Sequence, residues 1–220
     1  MRFKSKRFAV LMIIAFLAGG CCYTTFYSWF YGIKVEFAAK SGQKTTIKTK
    51  RLILRQSDKN DRFLMVKIFK NPEIMQTLSG VESFSDKEID FTLNNWTESI
   101  KNQRPFGGYL AYEKKSGKFV GYVSLDHIAY TRPDRAEISY ALFKEFRGKG
   151  YGFEMAYAIM KHMVPKALKR KLRLPNDVPL RAVTGTAIKN NTASKKILEK
   201  LGFEFLHDTQ SHRYIYHIER

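Results

Sequence analysis

Between Ala136 and Met163 the chain runs from an alternating segment, AEISYALF (136–143), through FKEFRGKGYG into an apolar set at helical spacing, Ala156, Ile159, Met160 and Met163. That pattern predicts a strand passing directly into a helix. Gly148, Gly150 and Gly152 stand at every second position of the turn between them, interleaved with Arg147, Lys149 and Tyr151. Glycines permit left-handed backbone and close approach of another molecule to the main chain. The first N–H groups of the helix have no intrahelical acceptor, and the helix dipole favours an anion there. With two cations added, the turn reads as a phosphate cradle. Two common phosphate loops are excluded: no Gly-Lys-Ser/Thr occurs, and the spacing is GxGxG rather than GxGxxG, without a parallel βαβ unit opening the domain. A plain glycine turn that only lets a strand reverse into a helix is the alternative.

The rest of the body interleaves strands and helices. RLILR (51–55), GGYLAYEK, KFVGYVSLDHI, LRAVTGTAI, FEFL and RYIYHIE alternate as strands, with a turn at Lys115-Ser116-Gly117. Residues 60–70 fit a helix loosely. Residues 85–102 fit one well, because Ser85 and Glu88 stand in capping-box positions and Ile89, Leu93, Trp96 and Ile100 share a face. TASKKILEKL is a further helix, closed by Gly202. PKALKRKLRLPNDVP (165–179) reads as a basic connection, and the polar Lys34–Lys50 stretch as a linker. Hairpins flank a single β–α–β passage, so the class is α/β (α+β) with a mixed sheet.

Net charge is +19 over 220 residues, of which Arg2, Lys4, Lys6 and Arg7 supply the share of residues 1–31 and leave +15 on the remainder. Such a charge attracts anions, whether nucleic acid, anionic lipid or a phosphorylated cofactor. No helix-turn-helix, zinc-finger or RNP-like pattern accompanies it, so nucleic acid is an unlikely partner. Both cysteines, Cys21 and Cys22, precede the body, which excludes a cysteine nucleophile or thiolate metal site from it, and the five histidines show no metal-ligand spacing. Phe8–Tyr31 is uncharged, apolar and long enough to cross a bilayer, with Tyr23, Tyr27, Trp29 and Tyr31 at one end. It reads as a membrane anchor, with a cleaved signal peptide, lipid attachment at Cys21 or a hydrophobic arm as alternatives. Cations flank it on both sides and leave its orientation open.

Four segments together carry a family resemblance: TKRLILRQSDKND, NPEIMQTLSG, AEISYALFKEFRGKGYG and NNTASKKILEKLGFEF. In order and spacing they resemble the GNAT N-acetyltransferases, in the branch of ribosomal-protein N-terminal and spermidine acetyltransferases. The resemblance covers about residues 48–220 and divides the chain into residues 1–31 (basic flank and hydrophobic segment), 32–47 (linker) and 48–220 (acetyltransferase domain). It implies a mostly antiparallel sheet of six to seven strands, splayed at the cofactor site and flanked by helices. It also implies acetyl-CoA as donor, a primary amine as acceptor (protein N-terminus, polyamine or another small amine) and no metal. A non-catalytic acyl-CoA-binding module is the competing reading.

Carried over residue by residue, the resemblance puts the pantetheine arm along Ala141, Leu142 and Phe143 and the pyrophosphate on Arg147, Gly148, Lys149, Gly150, Tyr151 and Gly152. Glu137 becomes the general base, unless it is a strand-end carboxylate paired with Arg135 or Lys144. Ser194 becomes the proton donor to the departing thiolate, because Lys195–Leu198 holds no tyrosine. Asn191 either touches the cofactor arm or caps the helix. Asp126 and His127 either line the acceptor pocket or are ordinary strand-end residues. Tyr109, Tyr112 and Tyr122 read as sheet packing.

Acetyl-CoA is held inside cells, so the reading requires the domain to face the cytoplasm. With Ser116→Cys introduced into a background lacking Cys21 and Cys22, a membrane-impermeant maleimide should leave intact cells unlabelled. Labelling would put the domain outside and remove its acyl donor.

Overall fold

The computed structural model describes residues 32–127, 132–208 and 211–218. Nine strands form one sheet: β1 (Lys34–Glu36), β2 (Thr46–Lys48), β3 (Leu52–Gln56), β4 (Gly107–Glu113), β5 (Phe119–His127), β6 (Arg135–Leu142), β7 (Ala182–Ile188), β8 (Glu204–Asp208) and β9 (Ser211–His217). Their order across the sheet is β1-β2-β3-β4-β5-β6-β7-β9-β8. The neighbours are antiparallel except β6 and β7, which run parallel. The two strands beyond the expected six to seven are β1 and β2. They lie in the stretch read as a linker, which pairs instead with β3 through Ile47↔Leu54. Ile47 is fully buried there. A three-residue strand has too little periodicity to announce itself, and its pairing is decided by the sheet beside it.

Helices cover both faces. Over one lie α1 (Arg62–Phe69), α2 (Pro72–Leu78) and α3 (Asp86–Lys101), whose buried residues Met65, Ile74, Leu93 and Trp96 pack with Leu110 and Tyr122 of the sheet. The Ser85–Glu88 capping box starts α3 as expected, with the Ser85 N–H donating to the Glu88 carboxylate at 2.7 Å. Over the other face lie α4 (Tyr151–Ala158), α5 (Val164–Lys169) and α6 (Thr192–Lys200), packed on Val123, Leu125, Ile138 and Val183. A π-helical turn, Ile159–Met163, joins α4 to α5. Residues 165–169 are thus helical rather than a connecting loop. Pro165 follows the π turn inside an uninterrupted helix, where the irregular ladder accommodates a residue without an N–H.

One buried ion pair fixes how these layers meet. Glu154, in the first turn of α4, is fully buried and accepts from the Thr49 hydroxyl (2.5 Å), the Arg51 main-chain N–H (2.9 Å) and Arg51 Nε (2.6 Å). It thereby joins the entry of β3 to the helix that follows the glycine turn. Removing one partner of a buried pair strands the other. Arg51→Ala should therefore lower stability by about 3 kcal/mol in urea unfolding, the low end for such pairs because the outer edge of Arg51 reaches solvent. A change under about 0.5 kcal/mol, the level of an ordinary surface substitution, would show the pair to be dispensable.

The Phe8–Tyr31 segment lies outside the described residues. Among the described residues no helix is long and apolar enough to cross a membrane.

Candidate active site

The parallel pairing of β6 with β7 is short: Arg135↔Ala182, Ala136↔Val183 and Glu137↔Thr184. Beyond Glu137 the two strands part, while β6 stays paired with β5 as far as Leu142 and β7 with β9 as far as Ile188. The sheet therefore opens between Ile138–Leu142 and the distal half of β7. Glu137 stands at the point of separation.

The glycine turn lies at the far end of this opening. Gly148 and Gly150 have φ of +73° and +79°, and Gly150 caps α4 in the left-handed conformation. A Cβ built on Gly148 would meet nothing within 4 Å, so the outer side of the turn is open. Arg51 holds the inner side: its Nη1 donates to the Lys149 carbonyl at 2.7 Å and its guanidinium lies 4.4 Å from the Tyr151 ring centre. The Tyr151 hydroxyl bonds to Glu113. Open glycines, the first turn of α4 and the Lys149 side chain fit a diphosphate.

Not every residue assigned to the cofactor stands free for it. Arg147 donates from Nε to the Leu142 carbonyl (3.0 Å) and from Nη1 to Glu73 (2.7 Å), tying the turn to β6 and α2. The Phe143 N–H is taken by the Val120 carbonyl at 3.1 Å. Gly152 is buried, and a Cβ there would lie 3.2 Å from Ile197 Cδ1, so its small size serves the packing of α6 on α4. Asn191 caps α6, its Oδ1 accepting from the Ser194 N–H at 3.0 Å, and donates from Nδ2 to the Thr77 carbonyl at 3.2 Å.

On the α6 face of the opening, the Tyr140 hydroxyl lies 2.9 Å from Ser194 Oγ. Burial pushes the Tyr140 pKa up to about 12, against the hydrogen bond to Ser194, so the phenol keeps its proton. The sequence offered no tyrosine in Lys195–Leu198, just after Ser194; β6 brings one from 54 residues earlier. On the opposite face, Glu137 and Asp126 are direct cross-strand partners. Burial raises both carboxyl pKa values. At Glu137 a hydrogen bond with Thr186 and the charge of Arg213 oppose the rise, and Asp126 adds to it. At Asp126, hydrogen bonds with Ser124 and Trp96 oppose it. Glu137 thus faces Thr186 and Arg213, not the Arg135 or Lys144 side chains expected of a strand-end salt bridge.

Both carboxylates line a cavity of about 950 Å³ beside α3. A notch of about 30 Å³, lined by Tyr140, Asn191 and Ser194, also reaches Glu137. Glu137 therefore borders both spaces. Asp126 and His127, which sequence alone left undecided, both line the cavity. The tyrosines divide: Tyr109 is fully buried and donates to the Pro105 carbonyl at 2.6 Å, whereas Tyr122 packs in the sheet and also reaches the cavity wall.

Residues 51–204 match the family model described as acetyltransferase (GNAT) domain. The chain belongs to the GNAT acetyltransferase family. A curated relative, the uncharacterised protein YkkB of Bacillus subtilis strain 168, is 25% identical over 165 residues, covering 74% of this chain and 87% of its own. Among solved structures, a ribosomal-protein-S5-alanine acetyltransferase from Vibrio fischeri is 17% identical with a TM-score of 0.60, over 78% of this chain and 96% of that one. A spermidine N-acetyltransferase from Vibrio cholerae, solved with CoA and spermine, is 16% identical with a TM-score of 0.57, over 76% and 95% of the two chains. At these identities the solved structures speak for the fold alone.

For this GNAT chain the glycine turn gives a direct test. Gly150→Val places a β-branched residue in left-handed backbone, at a cost of about 1–3 kcal/mol, with its Cβ 3.5 Å from the Arg51 guanidinium that holds the turn. Calorimetric titration with coenzyme A should show binding lost while the circular dichroism spectrum persists. Normal binding by the variant would move the phosphates elsewhere.

Proposed function

We propose that this protein transfers an acetyl group from acetyl-CoA to a primary amine by direct attack. One observation carries the reading: Glu137 stands where the sheet opens, bordering the large cavity on one face and the notch with Ser194 and Tyr140 on the other. An amine entering from the cavity meets a carboxylate before it meets the thioester. The glycine turn and Lys149 hold the diphosphate of the donor, and the open edge of β6 accommodates its pantetheine arm.

Glu137 accepts a proton from the incoming ammonium, directly or through water, so the nitrogen attacks as a neutral amine. As the new C–N bond forms, the C–S bond breaks. Ser194 Oγ gives its proton to the sulfur and recovers one from Tyr140, whose raised pKa keeps it a donor. The proton held by Glu137 leaves to solvent, and the second proton, shed by the nitrogen as the amide forms, passes through water to reprotonate Tyr140, so that one proton is released per turnover. Membership of the family supports the acyl transfer, and the arrangement of Glu137, Ser194 and Tyr140 supports the direct route.

Because burial holds the proton on Glu137, the base form is lost as pH falls through a value above the ordinary carboxylate range. The acid limb of kcat/KM should therefore lie above that range. Glu137→Gln should lower kcat by about 10²–10⁴ and abolish that limb, with coenzyme A affinity unchanged. Ser194→Ala and Tyr140→Phe should be non-additive when combined, as members of one relay. An unchanged limb in Glu137→Gln would assign that residue to structure. Coenzyme A binding with no turnover of any amine would leave an acyl-CoA-binding module instead.

A further inference from the structure

The wall of the large cavity is unusually aromatic for a space that ends on two carboxylates. Phe84 stacks 5.0 Å from Phe69, Phe69 meets Tyr122 edge-on at 5.5 Å, and Tyr122 lies 6.3 Å from Trp96. All four line the cavity. Phe91 also lines it while 68% exposed on α3, a large apolar side chain that folding leaves in water. The floor is fixed from the same wall: Trp96 Nε1 donates to Asp126 Oδ1 at 2.6 Å. Trp96 owes its seat to Gly108, where a Cβ would fall 2.3 Å from the indole ring.

The charges are distributed unevenly. Asp126 bonds to neutral groups, the indole of Trp96 and the hydroxyl of Ser124, whereas Glu137 bonds to the Thr186 hydroxyl and also feels the charge of Arg213. The third acidic residue of the lining, Glu98, is already paired with Lys101 at 2.6 Å. Among the described residues the remaining formal charges on the wall are cationic, Arg104 and Arg213. One ammonium at the floor is therefore well received by two carboxylates and by neighbouring ring faces. A second ammonium a few methylenes away would find no further unpaired carboxylate among the described lining residues, on a body whose net charge is already strongly positive.

We infer that the acceptor is a small monoamine with an apolar or aromatic body, not a polyamine, and that Asp126 is the residue that holds its ammonium beside Glu137. This rests on the acetyltransfer reading above, and it adds the substrate class and a binding residue. A cavity of about 950 Å³ takes a ligand of drug-like size, with its apolar bulk against the rings and its amine at the floor. A peptide N-terminus would set main-chain amides against the same rings and leave them to Thr92, Asn95 and Asn102 of the lining, so it is the competitor the titration must include.

The test is calorimetric titration of the full chain, saturated with coenzyme A, with 2-phenylethylamine, tryptamine, spermidine and alanyl-alanine amide. The arylalkylamines should bind tighter than spermidine and the peptide by about tenfold or more. Asp126→Asn keeps an oxygen for Trp96 but removes the charge, and should weaken arylalkylamine binding by about tenfold or more while coenzyme A affinity stays put. Phe91→Ser, at an exposed position, should weaken arylalkylamine binding several-fold. Spermidine or the peptide binding as tightly as the arylalkylamines would overturn the substrate class, and unchanged amine affinity in Asp126→Asn would overturn the role of that residue. Repeating the amine titrations without coenzyme A separates the two readings. Failure to bind coenzyme A counts against acetyltransfer, whereas the order of amine affinities bears on the cavity alone.

Discussion

A carboxylate with no access to water must be met on its own ground, and Glu154 is met by donors from one stretch of chain, Thr49 and Arg51. The consequence reaches past that contact. Arg51 has a guanidinium edge left over, and it spends that edge on the Lys149 carbonyl and its face on the Tyr151 ring. The residue that neutralises the buried acid thus also sets the backbone of the glycine turn. Glycines alone confer freedom; here the freedom is removed again by a partner about a hundred residues earlier. The turn is held in its left-handed form before any ligand arrives, so less ordering entropy is lost on binding.

The second constraint is the brevity of the β6–β7 pairing. After Glu137 the two strands have other partners, β5 and β9, and the sheet is left with a slot rather than a groove. Side chains alternate across it. Glu137 and Ser139 face the α3 side, while Ile138 and Tyr140 face α6. A strand that alternates is therefore able to put a carboxylate on one side of a slot and a phenol on the other. The two titrating groups are kept apart by the sheet itself, and burial raises the pKa of both.

Much of this was legible in the sequence because it depended on local chemistry. Alternation marked β3 to β7, Ser85 and Glu88 marked the start of α3, and the glycines marked the turn. What was hidden depended on partners distant along the chain. β1 and β2 are three residues each and exist because β3 offers an edge. The π turn leaves no compositional trace. Arg147 looked like a phosphate ligand, yet Leu142 and Glu73 engage it, and Glu73 lies 74 residues away. Tyr140 was read as one more alternating residue of a strand, since nothing nearby shows that it meets Ser194. Asp126 was visible but ambiguous, and only the register that sets it opposite Glu137 decides its place.

The position of β1 has a practical corollary. The chain enters the sheet at one edge, five strand spacings from the opening beside β6, or about 24 Å at 4.8 Å per strand. That edge strand is three residues long and carries Lys34 and Glu36, a form that discourages another strand from adding to it. Anything covalently attached ahead of Gly32 therefore grips the fold by the margin farthest from its slot. A bead or sensor surface joined through that end is tethered at the sheet margin away from the slot, whereas attachment near β8 would sit only two strands from it.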